Sequence, residues 1–168
     1  MPDSSDQRIV SQLQALSRGL AAAVTSLGAL ILIGWLLDIT AVKAIAPGLV
    51  SMKANTAVCF LLLGLTFWYR DRRKLVTSLA SFVLLLAAST LIEYAAGVSL
   101  GIDQLMFVDP GDPHTSHLGR MSPIAAAAFA LVSMAQLLPC DHERCAKISQ
   151  SMLLLVVLLG FASLLGRL

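Results

Sequence analysis

The sequence predicts an all-α integral membrane protein, a helical bundle of about five transmembrane helices arranged as repeated hairpins. Three observations carry that expectation. Of 168 residues, 57% are hydrophobic and only 13% charged, about half the charged share of a soluble domain. The apolar residues stand in long uniform runs, not in the single stripe of an amphipathic helix. Short charged or turn-rich segments separate the runs. A formal net charge of +2, with no interleaving of basic and aromatic residues, argues against a nucleic-acid partner.

Residues 1–19 are polar and mildly amphipathic, with Arg8 and Arg18 balanced by Asp3 and Asp6. They read as a cytoplasmic lead preceding a transmembrane domain over 20–168. The lead has neither the charge asymmetry nor the cleavage site of a secretory signal, so the first apolar run is expected to be retained. The expected spans are 20–37, 52–69, 75–96, 122–138 and 148–165, measured against the roughly 20 residues that cross a hydrocarbon core. The second and fourth are short. Lys53 is expected to snorkel from the second, with Trp68 and Tyr69 at headgroup level at its other end. Ser122 before Pro123 is a helix start, serine capping free amides and proline fitting the first helical position, while Pro139 marks the far end.

Loop charge sets the expected orientation. Arg70, Asp71, Arg72, Arg73 and Lys74 place four cations in five residues, whereas 98–120 holds Asp103, Asp109 and Asp112 but one arginine. The positive-inside rule puts the first loop, the amino terminus and 139–147 in the cytoplasm, and 38–51 and 98–121 outside. A bacterial inner membrane is the expected location. A weak internal repeat aligns 52–60 with 121–129, sharing Met52/Met121, Ala57/Ala126 and Phe60/Phe129, with Trp35 and Tyr94 preceding each copy at an outer helix end.

The segments PGLVSMKANTAVCFLLLGL (47–65) and LGIDQLMFVD…LGRMSP (100–123) resemble the N-terminal membrane sensor region of bacterial multi-domain signalling proteins. In that family such hairpins are fused to PAS domains, histidine kinases or diguanylate cyclases. The resemblance covers nearly the whole chain after the lead and implies a sensory input module, dimeric, acting on a cytoplasmic output domain or protein, as in two-component systems. Two departures stand out. Ile124 and Ala125 occupy positions where the family often repeats an Asn-Thr pair. The third hairpin and the output domain are missing before Leu168, so the expectation is an input module lacking its output domain.

Glu93 is the one acid inside an apolar run. Ionisable groups at membrane depth are costly and suggest function, yet this position near the outer end also suits an interfacial carboxylate beside Tyr94. Asn55, with Thr56, can hydrogen-bond across to a neighbouring helix. Glu93, Asn55, Asp103 and Arg120 are the candidate sensing residues. His114 and His117, near Asp109, Asp112 and Met121, form a His-x-x-His pair able to take a divalent metal, although a turn-rich loop with Pro110, Gly111 and Pro113 carries polar residues anyway. Cys140, His142 and Cys145 form a second cluster, read as a thiol-bearing connector because that side offers no second ligand pair. No histidine stands in an apolar run to hold haem, and no cofactor is expected. Gly28, Gly34, Gly64, Ala87 and Ala88 suit close helix approach.

No nucleophile with its base, phosphate-cradling loop or facing acid pair is recognisable, so an enzyme is not expected. The alternatives to a sensor are a non-catalytic assembly subunit or a small transporter component. Transport calls for charges facing the bundle interior and broken helices, and only Glu93 leans that way.

Overall fold

The structure, a computed structural model, describes residues 4–43, 51–109, 118–139 and 143–165. Among these it is helical without strands: α1 (Ser4–Leu36), α2 (Thr40–Lys43), α3 (Ala54–Trp68), α4 (Arg73–Ala96), a 3-10 turn (Ile102–Gln104), α5 (Pro123–Leu137) and α6 (Glu143–Leu165). α1, α4 and α6 are long and apolar enough to cross a membrane, and α3 and α5 are shorter apolar helices. α1 runs without a break through residues 19 and 20, so the polar lead and the first apolar run are one helix.

Helix ends follow local chemistry. Ser122 caps α5, its Oγ accepting from the Ala125 amide at 3.2 Å, with Pro123 in the first turn. Gly97 ends α4 at φ 66°, where a side chain would crowd the backbone. Arg73, one of the four clustered cations, donates from both terminal nitrogens to the Gln136 and Leu137 carbonyls at 2.9 Å. It thereby satisfies the otherwise free C-terminal carbonyls of α5.

α1 packs chiefly on α3 and α4 chiefly on α5, with α5 also against α6 and α3 against α4. Small residues set the spacing. A Cβ on Gly28 would stand 2.6 Å from the Leu61 amide nitrogen and 2.7 Å from the Ala57 carbonyl oxygen, and one on Gly64 would overlap the Thr25 hydroxyl. One on Gly34 would meet Val42 at 2.7 Å. At Gly28 the approach is backbone to backbone and needs glycine. On α4 the buried stripe is Val76, Ala80, Val83, Ala87, Thr90 and Glu93, repeating at helical three- and four-residue steps. Phe60 of α3 and Phe129 of α5 meet edge to face, centroids 5.1 Å apart, within the core shared by α3, α4 and α5. α6 has no buried residue. An apolar crevice of about 750 Å³, lined in part by Leu20, Phe60, Phe129, Val156 and Leu159, lies among α1, α3, α5 and α6.

Candidate functional site: a buried charge cluster at the loop end

The polar chemistry of the described residues gathers where α1 and α4 finish and α3 and α5 begin. Glu93, on the last turns of α4, is fully buried. Protein, not solvent, surrounds its carboxylate: Oε1 accepts from the Leu100 amide at 2.6 Å, and Oε2 lies 3.3 Å from Arg120 Nε. Asp103, from the 3-10 turn, accepts from the same Arg120 Nε through Oδ2 at 2.7 Å. Arg120 also donates to the Val98 carbonyl at 3.2 Å and stacks over the Tyr94 ring at 5.2 Å. One guanidinium thus joins α4, the segment leaving it and the approach to α5. The hydrogen bond to Asp103 is the largest influence raising the Arg120 pKa above its ordinary value, with the charges of Asp103 and Glu93 acting the same way against burial.

Local backbone geometry puts these groups in place. Gly119 sits at φ 71°, and a Cβ there would overlap the Asp103 carbonyl oxygen. That close approach brings residue 120 against the 3-10 turn. The Gly119 amide donates to Asp109 Oδ2 at 2.8 Å, and the same oxygen receives Lys53 Nζ at 2.6 Å. Lys53 is therefore buried in an ion pair, correcting the expected snorkelling. A paired and hydrogen-bonded partner inside the fold offsets the cost of dehydrating the ammonium. Asn55 is buried as well, its Nδ2 donating to the Ile102 carbonyl at 3.4 Å. It holds the loop, not a neighbouring helix. All four candidate sensing residues, Glu93, Asn55, Asp103 and Arg120, thus gather in one region.

The aligned segments carry matching bonds. Trp35 Nε1 donates to the Met52 carbonyl at 2.9 Å, and Tyr94 Oη to the Met121 carbonyl at 3.2 Å. Each aromatic also has a cation over its ring, Lys43 at 4.3 Å and Arg120 at 5.2 Å. Ala57 and Ala126, aligned with one another, are both fully buried.

Among the described residues the charge count is uneven. Lys53 balances Asp109, while Arg120 faces both Glu93 and Asp103. Glu93 Oε2 and Asp103 Oδ1 are buried without a hydrogen-bond partner, the Arg120–Glu93 contact being an ion pair without hydrogen-bond geometry. Such groups ordinarily cost about 1–3 kcal/mol each. His114, His117, Asp112, Cys140 and His142 lie outside the described residues. Among the described residues, no three His, Cys, Asp or Glu side chains group as a metal site; Cys59 is buried and free, and Cys145 is free. Compared with protein-family models, curated proteins and solved structures, the chain matches none.

Proposed function

We propose that the chain is a membrane-embedded sensory input module that crosses a bacterial inner membrane about five times as repeated hairpins. The amino terminus and the Arg70–Lys74 turn lie in the cytoplasm and the loop end faces outward. The observation that carries this reading is how residues 97–109 and 118–121 are held. Arg120, Asp103, Glu93, Lys53 and Asp109 join this outer segment to the ends of α3 and α4 by buried ion pairs. Directional polar contacts offer discrete alternative partners, which is what a two-state element biased by an outer stimulus requires. A shift of Arg120 between its acids would move the end of α4, and α4 is a continuous rod to Arg73 at the opposite face. From there the change is delivered to a cytoplasmic output segment or protein, with a second copy of the chain as the natural partner. The equivalent bonds of Trp35 and Tyr94 support the repeated-hairpin arrangement.

Two experiments test the reading. A reporter fused after Lys74 is expected to be active in the cytoplasm, and an extracytoplasmic signal would overturn the orientation. Spin labels on Leu105 and Ser78, both exposed, should report a distance that changes with some outer solute condition when the full chain is in nanodiscs. A distance fixed across pH, divalent ions and osmolarity would sink the sensory role. The second reading, an assembly subunit, is favoured by α6, which has no buried residue. Stable co-purification of a permease or enzyme complex with the full chain would favour it.

A further inference from the structure

We propose that Glu93 and Asp103, facing the single Arg120, form a proton-binding site that takes up one proton as a unit. Three observations converge on it. Two carboxylates share one guanidinium, both within 3.3 Å of its Nε, so with all groups ionised the trio carries one uncompensated negative charge. Glu93 is fully buried and Asp103 is 7% exposed, and an uncompensated charge removed from water is costly. Each acid also retains one buried oxygen that accepts nothing, Glu93 Oε2 and Asp103 Oδ1. A single proton from solvent, forming one O–H bond and breaking none within the protein, neutralises the trio.

Among the described residues, the other charged or titratable groups from the packed elements leave that balance unchanged. Lys53 of the α3 start is matched by Asp109 at 2.6 Å. Tyr94, beside Glu93 on α4, donates its hydroxyl to the Met121 carbonyl and is neutral while it keeps that proton. A metal ion suits the place less well, because a guanidinium nitrogen already lies within 3.3 Å of both acids and no third acid, histidine or thiol among the described residues joins them. A proton has no such steric demand. Its route is short, since Gly101, Gln104 and Leu105 beside Asp103 are exposed.

Proton binding stands on the cluster alone. Its use as the module's stimulus rests on the sensory reading above. In that role, a proton on Glu93 weakens its hold on Arg120, leaves the Asp103 bond in place and frees the end of α4 from Arg120.

Infrared difference spectroscopy of the full chain in nanodiscs, titrated with acid across the pH range in which the chain stays folded, tests the assignment. The expected result is the C=O stretch of one protonated carboxyl that shifts on deuteration. It should be lost over that range in both Glu93→Gln and Asp103→Asn, because either change leaves Arg120 with one acid. Glutamate and aspartate labelled with ¹³C in the parent chain give the same assignment without any variant, should those fail to fold. Absence of a band in the parent, or a band unaffected by both variants and both labels, overturns the proposal. Titrations in sodium and in choline should agree. A band seen only in choline would show the site filled by an alkali ion and would overturn it equally. A band of the expected behaviour with an unchanging Leu105–Ser78 distance would retain the proton site and remove the sensory role.

Discussion

Substituting Gly28 by alanine sets two opposed effects against one another, and the structure decides between them. In an unencumbered helix the change is favourable by about 1 kcal/mol, because alanine loses less conformational freedom than glycine. At Gly28 the new methyl would meet the Leu61 amide nitrogen at 2.6 Å, the Ala57 carbonyl oxygen at 2.7 Å and the Leu61 Cα at 3.1 Å. All three are backbone atoms of α3, so no rotamer change can relieve the overlap and the two helices must move apart. Overpacking typically costs about 1–3 kcal/mol, and a rigid obstacle belongs near the top of that range. The net expectation for Gly28→Ala is destabilisation by roughly 1–2 kcal/mol, with the propensity gain set against overpacking. Gly19 lies on the same helix with nothing within 4 Å of its would-be Cβ, so Gly19→Ala should be neutral to stabilising. Reversible unfolding of the full chain in mixed micelles, followed by helical circular dichroism, measures both. A Gly28→Ala protein as stable as the parent, or a shift of the same sign in both variants, would refute close α1–α3 contact as the origin of the effect.

Three further outcomes are expected. Arg120→Met leaves Glu93 and Asp103 buried without their cation, and loss of one partner from a buried ion pair costs about 3–5 kcal/mol; thermal unfolding in detergent should show a loss of that order, and a change below measurement error would contradict the cluster. Ser122→Ala removes the side-chain acceptor for the Ala125 amide and should cost about 1 kcal/mol in the same assay, with Ser122→Asp retaining most of the stability. The hydrogen bond from Lys43 holds the Asp38 carboxyl below its usual 3.8, so its contribution is complete above that value and is lost as pH falls through the depressed one. Asp38→Asn should therefore flatten the acid limb of the stability profile, and an unchanged limb would show that the pair does not act in solution.

Much of the helical framework was legible because it follows from one-dimensional signals. Uniform apolar runs marked five helices, Ser122-Pro123 marked the start of α5, and Gly28 and Gly64 marked close approach. Glu93 stands out in the sequence as an acid in an apolar run, which by itself does not reveal its burial. It continues the three- and four-residue spacing of Ala80, Val83, Ala87 and Thr90, and that periodicity was the available signal. The partner was not available in the same way. Asp103, Asp109 and Arg120 sit in a connecting segment, where charges are by default solvated. Only the path of the chain, with Gly119 folded against Asp103, brings them inside. Lys53 illustrates the same limit, since a lysine near a membrane end can reach for water or for an acid 56 residues away, and periodicity does not distinguish the two. Arg73 likewise counted only as one of four topology-setting cations, although its side chain also caps α5.

The two aromatic anchors differ in what surrounds their cations. Lys43 beside Trp35 pairs with Asp38, whose side chain is 90% exposed, whereas Arg120 beside Tyr94 pairs with Asp103 at 5%. Mobile ions screen exposed pairs over about 8 Å at physiological strength and reach enclosed pairs far less. Rising salinity at the loop end would therefore slacken the Lys43–Asp38 anchor and leave the Arg120–Asp103 anchor taut, giving the loop end one compliant tie and one stiff one.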